Sequence, residues 1–164
     1  MGVLTDYFRA ADAADVVRAM RTEDGDPLVN GEHAVFEGVE AKGVDAPIVL
    51  GALIAAIRQV PWSADLVAET MVWPTTPMPG PDGPAAEDDP WATGPWVSRL
   101  DPAVRDTLAD ALDAALPDTV ARWARTEELY GASAEDLLPV AQSLVTLARR
   151  ARDDDQQLYC WVCL

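Results

Sequence analysis

The sequence predicts an α+β domain, and three observations carry that reading. Apolar residues recur at helical spacing in five segments, most of them introduced by a capping residue or stopped by proline or glycine. Between these lie three or four short runs of β-prone residues. The terminal run Gln157 to Leu164 is apolar on both alternating faces, which belongs inside a sheet covered on both sides. At 164 residues with 49% apolar content, the chain has the size and core of one ordinary domain.

The elements follow in order. Gly2 to Arg9, with Val3, Leu4, Tyr7 and Phe8, reads as a short strand. Ala13, Val16, Val17 and Met20 then form an amphipathic stripe, with Asp12 as N-cap and Arg18 and Arg21 toward the negative end. Thr22 to Asn30 is a loop, and Ala34 to Val39 a brief extended piece. Asp45 and Pro47 open a helix running to about Val60. Its apolar residues cover nearly the whole circumference, which predicts a central core helix, with Gly51 at a close approach.

Pro61 ends that helix, and Leu66 to Trp73 reads as a strand. Asp101-Pro102 starts a helix whose expected buried stripe is Val104, Leu108, Ala111, Leu112 and Ala115, with Asp106, Asp110 and Asp113 on another face. Pro117 breaks it, and a further helix is predicted from Asp118 to Tyr130, closed by Gly131. Ser133 with Asp136 opens the last helix, in which Pro139 either kinks the chain or delays the regular part by a turn. The terminal strand puts Leu158, Cys160, Val162 and Leu164 on one face and Tyr159, Trp161 and Cys163 on the other. A small mixed sheet containing this strand, packed with about five helices, is the expected architecture.

Composition excludes several functions. With 28 acidic against 12 basic residues the net charge is −16, so a phosphate backbone is repelled and nucleic-acid binding ranks last. The longest apolar run, Ile48 to Ile57, is half the length a membrane span needs, and Met1 to Ala10 lacks the apolar region of a secretory signal. Both cysteines lie near one another, at Cys160 and Cys163, unlike a secreted disulfide scaffold. A cytoplasmic protein is the expectation.

Conventional catalytic and metal motifs fail on their own chemistry. Cys160-Trp161-Val162-Cys163 has redox spacing, but in a strand its thiols point to opposite faces, and a zinc site needs two more ligands. His33 is the only histidine, hence the only base for a nucleophilic triad, and no nucleophile elbow or phosphate loop accompanies it. Asp88-Asp89 precedes Pro90 without a calcium-loop register. No catalytic residue, metal or cofactor is assigned.

Two features remain. Residues 74–96 hold seven prolines, several glycines and the acidic run Glu87, Asp88 and Asp89. Trp73, Trp91 and Trp96 bracket or occupy this loop, and residues 61–120 carry −9 of the −16. Either the rings pin the loop to the core, or they line a groove beside an acidic rim. The second feature is Glu127, predicted on a helical face with Trp123: either it reaches an arginine or the helix end, or, half-buried, it acts as an acid or base.

The segments Met1-Gly2-Val3-Leu4-Thr5-Asp6-Tyr7-Phe8, Val39-Glu40-Ala41-Lys42-Gly43-Val44-Asp45 through Val49-Leu50-Gly51, Asp89-Pro90-Trp91-Ala92-Thr93-Gly94-Pro95-Trp96 and Leu158-Tyr159-Cys160-Trp161 resemble those of a group of actinobacterial proteins of unknown function. More distantly, the chain is similar to the YfbM-like bacterial family, which implies an α+β fold and supplies no activity.

The leading expectation is a protein-interaction domain that meets a basic protein partner through Trp73, Asp88, Asp89, Trp91 and Trp96, in an inhibitory, immunity-type or regulatory role. The alternative is a small-molecule-binding protein or enzyme with a pocket near Glu127, Trp123 and the loop tryptophans. A structural component of a larger assembly is the third.

Overall fold

The computed structural model describes residues 3–29, 34–84 and 86–164. His33 lies outside the described residues, as do Met1, Gly2, Asn30, Gly31, Glu32 and Ala85. Five strands, β1 (Leu4–Ala10), β2 (Gly38–Glu40), β3 (Glu69–Trp73), β4 (Trp96–Leu100) and β5 (Gln157–Cys163), form one sheet in the order β2-β1-β5-β4-β3. Every pairing is antiparallel, so the mixed sheet expected above is antiparallel throughout. The C-terminal strand is the central one, in keeping with its two apolar faces.

Each face of the sheet holds its own core. Leu158 and Cys160 face the larger one, built with α2 (Gly51–Arg58), α4 (Pro102–Asp110), α5 (Leu116–Trp123) and α6 (Ala134–Asp153). Tyr159 and Trp161 face the smaller one, closed by Val16 and Met20 of α1 (Ala13–Thr22) together with Leu28, Val29 and Phe36. Phe8 stacks between Phe36 and Tyr159, with ring centroids 5.0 and 5.5 Å away, so aromatic packing carries this thinner layer.

Capping chemistry sets most helix starts. Asp12 accepts from the Asp15 amide, Asp45 from Ile48, Asp101 from Ala103 and Ser133 from Asp136, each satisfying a backbone N–H that the helix leaves free. The Asp45 segment begins as a wide π turn over Ala46–Leu50 before α2 proper. Gly51 makes its close approach there: a Cβ would lie 3.0 Å from Trp62 Nε1. Pro139 lies inside α6, which is assigned as one continuous helix from Ala134 to Asp153.

Three boundaries differ from expectation. The Asp101 helix stops at Asp110, so Leu112 is 72% exposed and Ala115 is exposed instead of completing a buried stripe. The stop is stabilised from outside: Arg149 donates to the Ala109 and Ala111 carbonyls, satisfying the helix end. The segment 118–130 is not one helix. α5 begins at Leu116, with Pro117 in its first turn, and ends at Trp123; a separate 3₁₀ turn follows at Glu127–Leu129. Finally, β4 and the one-turn helix α3 (Pro90–Thr93) occupy sequence in which neither was expected.

Candidate functional site

The loop between β3 and β4 is held by its own aromatic residues. Asp89 accepts the Trp91 amide at 2.8 Å and starts α3, with Pro90 in the first turn. That turn aims the Trp91 indole back across the loop, where its N–H donates to Thr76 Oγ1 at 2.9 Å. Trp73 packs against the smaller core, and the Trp96 ring covers Gly94, where a Cβ would lie 3.1 Å from it. Pro95 abuts Gly25 in the turn after α1, so the return arm is anchored to a second element.

These contacts sort the residues expected to bind. Trp73, Trp91 and Trp96 are all half-buried: each fixes the loop, and each leaves part of its ring at the surface. Asp89 is spent on the cap. Asp88 is exposed, as are Asp82 and Glu87, which sequence reasoning left out of the site or assigned only as part of the run. The stretch 59–98 contains six acids and no base, so no guanidinium close in sequence neutralises this rim.

The rest of the acidic middle is occupied differently. Asp106 pairs with Arg105, Asp110 with Arg152, and Asp113 with Arg149 at 3.0 Å. The face that carries Asp106, Asp110 and Asp113 is thus largely answered from within the fold. A similar knot joins the sheet to α6: Glu37 receives Arg9 and Arg150, and Arg9 also reaches Asp154 and Gln156. The two guanidiniums hold the Glu37 carboxyl below its usual range.

Trp123 and Glu127 are not joined with the loop tryptophans. Trp123 is fully buried in the larger core, and its indole N–H donates to the Val49 carbonyl at 2.8 Å, tying α5 to the start of α2. Glu127 is exposed on the turn after α5, so it lacks the burial that the acid–base reading required. The helical face that sequence reasoning placed them on does not exist, because the helix ends between them.

No family model, no curated protein and no solved structure matches this chain. The site therefore stands on its geometry alone.

Among the described residues no group of three or more His, Cys, Asp or Glu side chains is placed to hold a metal ion. Cys160 is buried and its thiol is pushed far up by desolvation, while Cys163 lies against the other core, so the two do not act as a pair. No helix among the described residues is long and apolar enough to cross a membrane.

Sequence reasoning missed one carboxylate pair. Asp6 on β1 stands directly across from Glu40 on β2 and from Trp161 on β5. Burial, then the Glu40 charge, raise its pKa to about 6. The signal was present as an acid inside a predicted strand, next to Tyr7 and Phe8.

Proposed function

We propose that this chain is a protein-interaction domain whose β3–β4 loop receives a basic protein partner. The observation that supports this most is a loop tied down by its own hydrogen bonds and carrying an acidic rim that makes no ion pair among the described residues. Trp91 is pinned to Thr76 and Asp89 caps α3, while Asp82, Glu87 and Asp88 project from the same loop with no base nearby in sequence. Order matters because a pre-arranged surface loses less entropy on association than a floppy one. Half-buried tryptophans supply the apolar contact area from which binding hot spots are built, and the carboxylates steer a cationic partner. An inhibitory role against such a partner is the concrete form.

The test separates this surface from acidity in general. Asp82→Asn/Glu87→Gln/Asp88→Asn removes three charges at the loop, and Asp118→Asn/Glu127→Gln/Glu128→Gln removes three exposed charges elsewhere. Partners recovered from host lysate at low salt and released at moderate salt should vanish with the first variant and persist with the second. Equal recovery by both, with Trp91→Ala also unimpaired, overturns the assignment.

A further inference from the structure

A chain with 28 acids offers each of its eleven arginines many carboxylates, and six of them take one: Arg9, Arg18, Arg105, Arg149, Arg150 and Arg152. Among the described residues the other five, Arg21, Arg58, Arg99, Arg122 and Arg125, form no ion pair, and what sets Arg21 and Arg99 apart is their position. They come from elements far apart in sequence, the end of α1 and the middle of β4, yet line one cavity. Arg18 lines it too, and its one ionic partner is Asp15, a turn back on the same helix.

The cavity is an open groove of about 750 Å³ between α1, the edge strand β3 and its neighbour β4. Its size falls within the range of small-molecule sites, roughly 300–1,000 Å³. Ala13, Ala14 and Val17 form an apolar wall on the helix, and Val72 answers them from β3. Thr70 stands opposite Arg99 in the sheet, and Arg99 stands opposite Tyr159. Tyr159 itself is buried in the smaller core, and its hydroxyl has no hydrogen-bond partner among the described residues. The acids close by are engaged: Asp12 caps α1 and Asp15 takes Arg18.

We propose that this groove binds a small organic anion, its charged head held by Arg21, Arg99 and Arg18 and its apolar body laid along Ala13, Ala14, Val17 and Val72. Guanidiniums suit this task because their planar forks match carboxylate and phosphate oxygens. The overall field of the protein repels anions, so one that binds must find a local cationic site, and the groove is such a site. This surface is distinct from the acidic rim of the β3–β4 loop, and the two proposals stand or fall separately.

The probe is 8-anilinonaphthalene-1-sulfonate, an anion with an aromatic body whose fluorescence rises on leaving water. It should bind the native protein saturably at one site. Octyl phosphate and octanoate should displace it, whereas octanol (chain without charge) and inorganic phosphate (charge without chain) should not. Arg21→Gln/Arg99→Gln should weaken probe binding at least tenfold with an unchanged melting temperature. Arg58→Gln/Arg125→Gln, which removes two exposed arginines elsewhere, should leave it unaltered. Arg99→Lys, which keeps the charge and loses the fork, should fall between. Absence of saturable binding, displacement by octanol as readily as by octanoate, or equal loss in both double variants overturns the proposal.

Discussion

Asp6 illustrates how one inward acid sets a pH dependence. Its neighbours across the sheet are Glu40 on one side and Trp161 on the other, so ionisation is opposed by desolvation and by a like charge. The folded-state pKa of about 6 lies above the ordinary aspartate value of 3.8. Between those two pH values the folded chain binds more protons at this site than the unfolded chain. The carboxyl therefore contributes to folding when protonated, and it costs stability as pH rises through 6. Asp6→Asn should raise stability at pH 7 by about 1–2 kcal/mol. The gain should shrink to nothing below about pH 4, as read from melting curves at a series of pH values. A gain that is independent of pH would show that Glu40 and burial do not act through ionisation. Glu37 has the opposite sign: its pKa is held down by Arg150 and Arg9, so its contribution is lost as pH falls.

Element-scale packing makes its sharpest demand where β2 meets β1. A Cβ on Gly38 would run into the Tyr7 carbonyl oxygen and would lie 2.7 and 2.8 Å from the two Val29 methyls. The backbone oxygen cannot rotate away, so Gly38→Ala should cost about 1–3 kcal/mol, the usual range for overpacking. Urea unfolding measures it, and an unchanged midpoint would mean that β2 simply lifts from the edge of the sheet. What was legible in sequence at this scale was punctuation: Asp12, Asp45, Asp101 and Ser133 cap the helices they were expected to cap. Asp89-Pro90 follows the same grammar and starts α3, but the surrounding prolines hid it. The end of α5 was illegible because Val120, Trp123, Glu127 and Tyr130 keep an approximate helical spacing after the helix has stopped. Tyr130, 96% exposed, shows that no core receives that face. The loop tryptophans were readable as anchors since proline-rich sequence rarely retains three large rings without burying them. The cationic groove was not, because Arg99 comes to line the same cavity as Arg18 and Arg21 only once β4 is known to be a strand paired with β3.

At the scale of the whole molecule, attraction and repulsion differ in range. The ion pairs among the described residues are direct contacts, 3.0 Å or less, well inside the screening length of about 10 Å at 0.1 M salt. The repulsion from a net charge of −16 acts across the full width of the fold, and it is felt most when that length grows to about 30 Å at 0.01 M. Added salt thus removes repulsion before it loosens the pairs, and the folded state, which packs the charges closest, gains most. Raising sodium chloride from about 10 to 150 mM should increase the melting temperature by a few degrees, read by calorimetry or circular dichroism. A fall would mean that the arginine clusters around Glu37 and Asp110 outweigh the surplus acids. Binding of a basic partner at the Asp82–Asp88 rim should respond in the opposite direction over the same range, since there screening weakens an attraction between molecules. Stability rising while affinity falls in a single salt series would separate self-repulsion from docking, two consequences of the same acidic sequence.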